Sequence, residues 1–93
     1  MRLVTLLMLF AVLSGCATSR EPDERARNIA KVHTELAAAY FERKQFAVAL
    51  QEVGVAMQAD PTYAPIYNLS GLIRMGLRED EQAEADFQRG MRL

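Results

Sequence analysis

Two stretches decide the fold: His33-Thr34-Glu35-Leu36-Ala37-Ala38-Ala39-Tyr40 and Tyr67-Asn68-Leu69-Ser70-Gly71-Leu72-Ile73-Arg74. A shift of 34 residues lays His33 on Tyr67 and Ala37 on Gly71, and the same shift lays Ala49 on Ala83 and Val53 on Phe87. Self-similarity at that period marks a repeat of one supersecondary unit, each unit burying its apolar face against the next.

Outward from these stretches the apolar spacing is helical. Ile29, Val32, Leu36 and Tyr40 recur on one side, with Ala30, Ala37 and Phe41 on the adjacent one, at the i, i+3, i+4, i+7 positions of an amphipathic helix. A polar break over Glu42–Gln45 follows. Phe46, Ala49, Leu50, Val53, Ala56 and Met57 repeat the spacing, and Asp60-Pro61 ends that helix because a proline pushes its predecessor out of the α region. Thr62 is placed to cap a third helix, with Pro65 in its first turn, carrying Ile66, Tyr67, Leu69, Leu72, Ile73 and Met75. A fourth runs from about Asp80, with Ala83, Phe87 and Met91 inward and Glu81 and Glu84 in its first turn. No strand pattern occurs.

The tetratricopeptide signature asks for an aromatic, Leu-Gly three and four residues on, then Tyr, later Ala with Phe four residues beyond, and a closing Pro. The first unit offers His33, Leu36-Ala37, Tyr40, Ala49, Val53, Ala56 and Pro61; the second offers Tyr67, Ser70-Gly71, Ala83, Phe87 and Gly90. Ala37, Gly71, Ala49 and Ala83 fall where antiparallel helices approach most closely, whereas His33, Ser70 and Arg74 depart from the pattern. The expected fold is all-α, a tetratricopeptide-repeat α-solenoid of two antiparallel helix pairs, against a four-helix bundle as the alternative.

The N-terminus has a different character. Eleven of the first fifteen residues are apolar, Arg2 supplies a positive start, and Leu3–Leu13 is interrupted only by Thr5. At about 11 residues the run is too short for a hydrocarbon core that takes about 20 helical residues, so it reads as a signal-peptide core. Leu13-Ser14-Gly15-Cys16 follows, an apolar residue and two small ones before the only cysteine. It resembles a bacterial lipobox, which implies lipidation of Cys16 and cleavage after Gly15; the alternative is a plain secretory signal with a chance cysteine. Several acyl chains would anchor the protein stably where one is marginal. Ala17 in place of aspartate implies, on the same resemblance, the outer membrane and its periplasmic face. The expected organisation is signal peptide 1–15, lipidated Cys and flexible tether 16–27, first repeat 28–62, and second repeat 63–93, truncated at its end. Beyond Asp23 the charges are expected to form a frayed first helical turn, because Asp23 and Glu24 favour a helix N-terminus.

Together with the lipobox, Val32–Arg43 (VHTELAAAYFER), Asp60–Pro65 (DPTYAP), Tyr67–Ile73 (YNLSGLI) and Gln82–Arg89 (QAEADFQR) resemble the type IV pilus biogenesis lipoproteins known as pilotins. The resemblance covers nearly the full chain, and because such proteins carry more than two repeats it implies an N-terminal piece. It implies an outer-membrane lipoprotein that binds secretin subunits and promotes their assembly. The binding groove would be the concave face lined by the first helix of each repeat, presenting Thr34, Ala38 and Phe41 from one unit and Asn68, Leu72 and Met75 from the next. Aliphatic, aromatic and methionine side chains with one amide suit an amphipathic partner segment. The alternative is that Phe41 and Leu72 pack between helices.

Composition narrows the chemistry further. Fifty-one per cent of the residues are hydrophobic, 25% are charged, and the net charge of −1 gives no basic excess to hold nucleic acid. One cysteine and one histidine cannot build a thiolate or imidazole metal site. The acidic run Glu79-Asp80-Glu81 with Glu84 and Asp86 reads as solvated helix surface. The expectation is therefore a binding protein rather than an enzyme, with no cofactor, no metal and no small-molecule substrate. Two rivals stand beside it: another envelope repeat scaffold, such as an adaptor for peptidoglycan enzymes, and the repeat part of a longer lipoprotein with an enzymatic C-terminal domain. Replacing Cys16 tests the anchor. Cys16→Ala is expected to abolish incorporation of radiolabelled palmitate and release the protein from the membrane fraction; label that persists in the variant rejects lipidation at this residue.

Overall fold

A computed structural model of the chain describes residues 21–93. The expected signal peptide, Cys16 and the first part of the expected tether lie outside the described residues. Four helices follow in order: α1 (Glu21–Glu42), α2 (Phe46–Ala59), α3 (Pro65–Gly76) and α4 (Asp80–Arg92). They form two adjacent antiparallel pairs, a tetratricopeptide-like arrangement, and no strand occurs among the described residues. α1 packs on α2 and α3 on α4, while α3 touches both α2 and α1.

The 34-residue period is written into the backbone of the turns as well as the side chains. After α1, the Lys44 amide donates to the Phe41 carbonyl (2.9 Å) and the Gln45 amide to the Tyr40 carbonyl (3.0 Å). After α3, Arg78 donates to Met75 (3.1 Å) and Glu79 to Arg74 (2.9 Å), each donor and acceptor 34 positions further on. Both are Schellman closures, in which one residue turns left-handed so that the last carbonyls find donors. Lys44 (φ 60°) and Arg78 (φ 65°) are those residues. The following helix opens alike in both, with Ala49 donating to Gln45 and Ala83 to Glu79 at 3.0 Å.

Small residues set the spacing of the pairs. Ala37, Ala49, Ala56, Gly71 and Ala83 are all buried, as the signature requires. Ala30, Val53, Ile66, Tyr67, Leu69 and Ile73 join the first three in one core that runs through both pairs. A Cβ at Gly71 would stand 2.4 Å from the Phe87 ring, and one at Gly76 would stand 2.8 Å from the Phe46 ring, so each glycine is where an aromatic edge meets a helix backbone.

Four expectations need correction. α1 begins at Glu21, so residues 21–27, expected as tether with a frayed turn only beyond Asp23, are helix throughout; Pro22 is tolerated there because first-turn amides have no intrahelical partner. Ile29, Val32 and Leu36 face outward, and the covered stripe is the adjacent one through Ala30, Thr34 and Ala37. Met91 is also exposed rather than inward. Thr62 does not cap α3, which starts after Ala64 with no side-chain cap. Its amide and hydroxyl instead donate to Asp60 (3.0 and 2.6 Å), forming an Asx turn between the pairs.

Two alanine substitutions should move stability in opposite directions. Gly54 lies inside α2 with nothing within 4 Å of an added Cβ, so Gly54→Ala should stabilise by about 0.5–1 kcal/mol through reduced backbone freedom. At Gly71 the same gain of about 1 kcal/mol is outweighed by overpacking against Phe87, so Gly71→Ala should cost a net ~1–2 kcal/mol. Urea midpoints compared with the parent check both signs.

Candidate binding face

α1 and α3 are the first helices of their pairs, and the residues expected to line the groove repeat at the same register on each. The structure treats them unequally. Thr34 is buried, and its hydroxyl donates to the Ala30 carbonyl one turn back (2.6 Å), so it is not available to a partner. Ala38 and Phe41 are half-buried; the Phe41 ring lies 5.8 Å from the Phe46 ring, tilted by 46°, and packs beside the turn rather than into open space. Asn68, Leu72 and Met75 are exposed, Met75 by 52%. Their spacing of four and three residues puts them on one stripe of α3. The presented part of the expected groove is therefore this α3 stripe, with Ala38 and Phe41 half-covered on α1.

The residues that break the repeat signature are held by a common device. Glu52 on α2 and Asp86 on α4 occupy the same register, 34 residues apart. Glu52 pairs with His33 Nδ1 at 2.6 Å. Asp86 accepts from the Ser70 hydroxyl (2.6 Å) and from Arg74 Nε (3.1 Å), and Arg74 also donates to Glu79 (2.6 Å). Two members of the acidic run, Glu79 and Asp86, are thus bound to polar side chains of α3 rather than simply solvated. Tyr67, on the position of His33, is buried, donates its hydroxyl to the Pro61 carbonyl (2.6 Å) and stacks under Arg89 at 4.7 Å.

A second polar cluster ties the start of α1 to the turn between the pairs. The Arg27 guanidinium pairs with Asp60, reaches the Thr62 hydroxyl at 3.3 Å and lies 5.3 Å from the centre of the Tyr63 ring. Asp23, Arg27, Asp60 and Thr62 border an open depression of about 790 Å³. Hydrogen bonds from the Thr62 hydroxyl, then the Arg27 guanidinium, hold the Asp60 carboxyl below the usual carboxylate range. The Asp60-Pro61-Thr62 sequence signals the turn, but its pairing with a residue 33 positions upstream is visible only in the fold. Among the described residues no group of three or more His, Cys, Asp or Glu side chains is placed to hold a metal ion.

No protein-family model matches the chain, and no solved structure matches it. Over 60 residues, 64% of the chain, it is 35% identical to human (Homo sapiens) RNA polymerase II-associated protein 3, and the matched stretch is 9% of that protein. The chain thus spans under a tenth of the curated relative it matches, and the likeness is one of a segment.

The Asp60 cluster gives a pH dependence whose sign is fixed by the lowered carboxyl. Because the folded protein holds Asp60 below its unfolded value of about 3.9, the cluster stabilises fully above that value. The contribution is lost as pH falls through the folded value. Asp60→Asn should therefore lower the urea midpoint at pH 7, and the gap to the parent should shrink as acidification protonates the folded-state carboxylate. A gap that is constant with pH would show that the Asp60 charge contributes nothing.

Proposed function

We propose that the chain is a protein-binding helical-repeat module that takes an amphipathic partner segment on the α3 stripe and does no catalysis. The observation that carries this reading is the exposure of Leu72 and Met75 beside Asn68 on one stripe of a helix whose other faces are packed. An adaptable methionine, an aliphatic side chain and one amide fit the apolar face of a partner helix and its polar edge.

The finer reading is an outer-membrane lipoprotein, anchored through Cys16 on the periplasmic face, that binds secretin subunits and promotes their assembly in type IV pilus biogenesis. It is supported by Leu13-Ser14-Gly15-Cys16 behind a short apolar run and by the wording of both repeats. Among the described residues no helix is long and apolar enough to cross a membrane, so in this reading the lipid on Cys16 supplies the anchorage.

The test places charge on the stripe without touching the core. Leu72→Glu combined with Met75→Glu should leave helical circular dichroism unchanged and stability within about 0.5 kcal/mol per site, as for ordinary surface substitutions. Secretin multimers and piliation should fall in the same cells. Unchanged multimers and piliation reject the stripe as the secretin site. Phe41 is left intact because its contact with Phe46 makes a charge there a folding defect.

A further inference from the structure

The two helix pairs differ most on the outer faces of their second helices. On α2 the exposed residues are Ala47, Val48, Gln51, Gly54, Val55 and Gln58, and none is charged. Their counterparts 34 residues on, Glu81, Gln82, Ala85, Gln88, Arg89 and Arg92, are exposed as well, and three of these six are charged. α3 packs beside α2 and leaves all six of its outer residues uncovered, so this face stays open however far a stack of pairs continues. Glu52, at its edge, is turned to His33 on α1, and its charge is answered within the chain.

Gly54, in the middle of that face, is unlike the other described glycines. A Cβ at Gly71 or Gly76 would strike an aromatic ring, and one at Gly90 would touch Tyr67 Cβ at 3.5 Å, whereas at Gly54 it would meet nothing within 4 Å. A glycine inside a helix costs stability relative to alanine, and no contact among the described residues accounts for this one. What a bare backbone there permits is the close approach of a second helix. Val48, Gln51, Val55 and Gln58 recur around it at intervals of three and four residues, the spacing of a seam between two helices.

We propose that two copies of this chain pair through the outer faces of their α2 helices, antiparallel about a two-fold axis that passes near Gly54. In a two-fold contact each side chain close to the axis meets itself or a near neighbour of its own kind, so a charge there would face a like charge. The outer face of α2 has no charge, and that of α4, with the same register, has three. Gln51 and Gln58 each donate and accept, so their amides match one another in either sense. Selection of a different protein calls for a large anchor side chain or for complementary charge, and a membrane surface for cationic flanks and aromatic side chains. The six residues include none of these, which is why a second copy is the occupant. This contact lies on another helix than the α3 stripe and is independent of what that stripe binds.

Cross-linking in cells expressing the full chain tests it. Benzoylphenylalanine in place of Val55 should give, on irradiation, a dimer adduct that maps to residues 47–58 of the second copy. The same photoprobe in place of Arg89, the counterpart on α4, should give none. Gln51→Lys combined with Gln58→Lys should reduce the adduct from position 55 by roughly tenfold, because like charges would meet across the axis. Co-expression of that probe-bearing chain with a Gln51→Glu, Gln58→Glu copy should restore it, which also shows that the lysine variant folds. The proposal is overturned by absence of a dimer adduct at position 55, by equal dimer adducts at 55 and 89, or by an adduct that maps outside α2. It is equally overturned by cross-links only to lipid, to another protein or within one copy, by a lysine variant that cross-links as before, or by failure of the acidic copy to restore what the lysines remove.

Discussion

The fold depends on how closely an aromatic edge can approach a helix backbone. Phe87 lies against Gly71 within the second pair, and Phe46 lies against Gly76 between α2 and α3; in both places a Cβ would collide with ring carbons. The first pair solves the same problem with other volumes. At the register of Gly71 it has Ala37, and at the register of Phe87 it has Val53, so the methyl gained on one helix is offset by the ring lost on the other. Close-packed interiors tolerate exchanges that conserve volume far better than single enlargements. Two pairs of unlike composition can therefore be joined by turns that share one hydrogen-bond pattern.

Polar links fix the register that this packing leaves loose. An apolar seam of small residues specifies distance well but rotation poorly. Glu52 and Asp86 each reach from the second helix of a pair to a polar residue on the first, His33 in one case and Ser70 with Arg74 in the other. Apart from the buried Ser70, these side chains keep some exposure, so the links contribute little net stability, as expected of polar contacts that meet water. Their consequence is positional: an acid at one register, answered by different partners in different rows, ties the second helix of each pair to the first at a fixed place. The departures of His33, Ser70 and Arg74 from the repeat signature are therefore substitutions of one helix-helix contact by another.

This also explains what was legible in the sequence. The starts of α2 at Phe46 and α4 at Asp80, the break at Asp60-Pro61 and the burial of Ala37, Ala49, Gly71 and Ala83 all follow from local spacing and a 34-residue period. Periodicity names the apolar sides of a helix but not which of them has a neighbour. α1 has two such sides, and only contact with α2 and α3 decides that Ala30, Thr34 and Ala37 are covered while Ile29, Val32 and Leu36 are not. Asp23 and Glu24 signal a first turn, but a regular α1 reaching back to Glu21 is not legible, for a related reason. Residues 21–27 lack apolar periodicity, and part of the support for their helix comes from Arg27 meeting Asp60, Thr62 and Tyr63 across the inter-pair turn.

A repeat therefore gives its residues an address without giving them a role. Thr34 and Asn68 hold the same address, as do Val32 and Ile66 or Met57 and Met91, yet one member of each couple is packed and the other meets water. The difference arises because the second pair covers the first on one side only. Carrying a groove across the repeats by register alone assigns Thr34 a task that its bond to Ala30 prevents. The side chains free to meet a partner are those whose place no neighbouring helix has taken, as on the exposed stripe of α3.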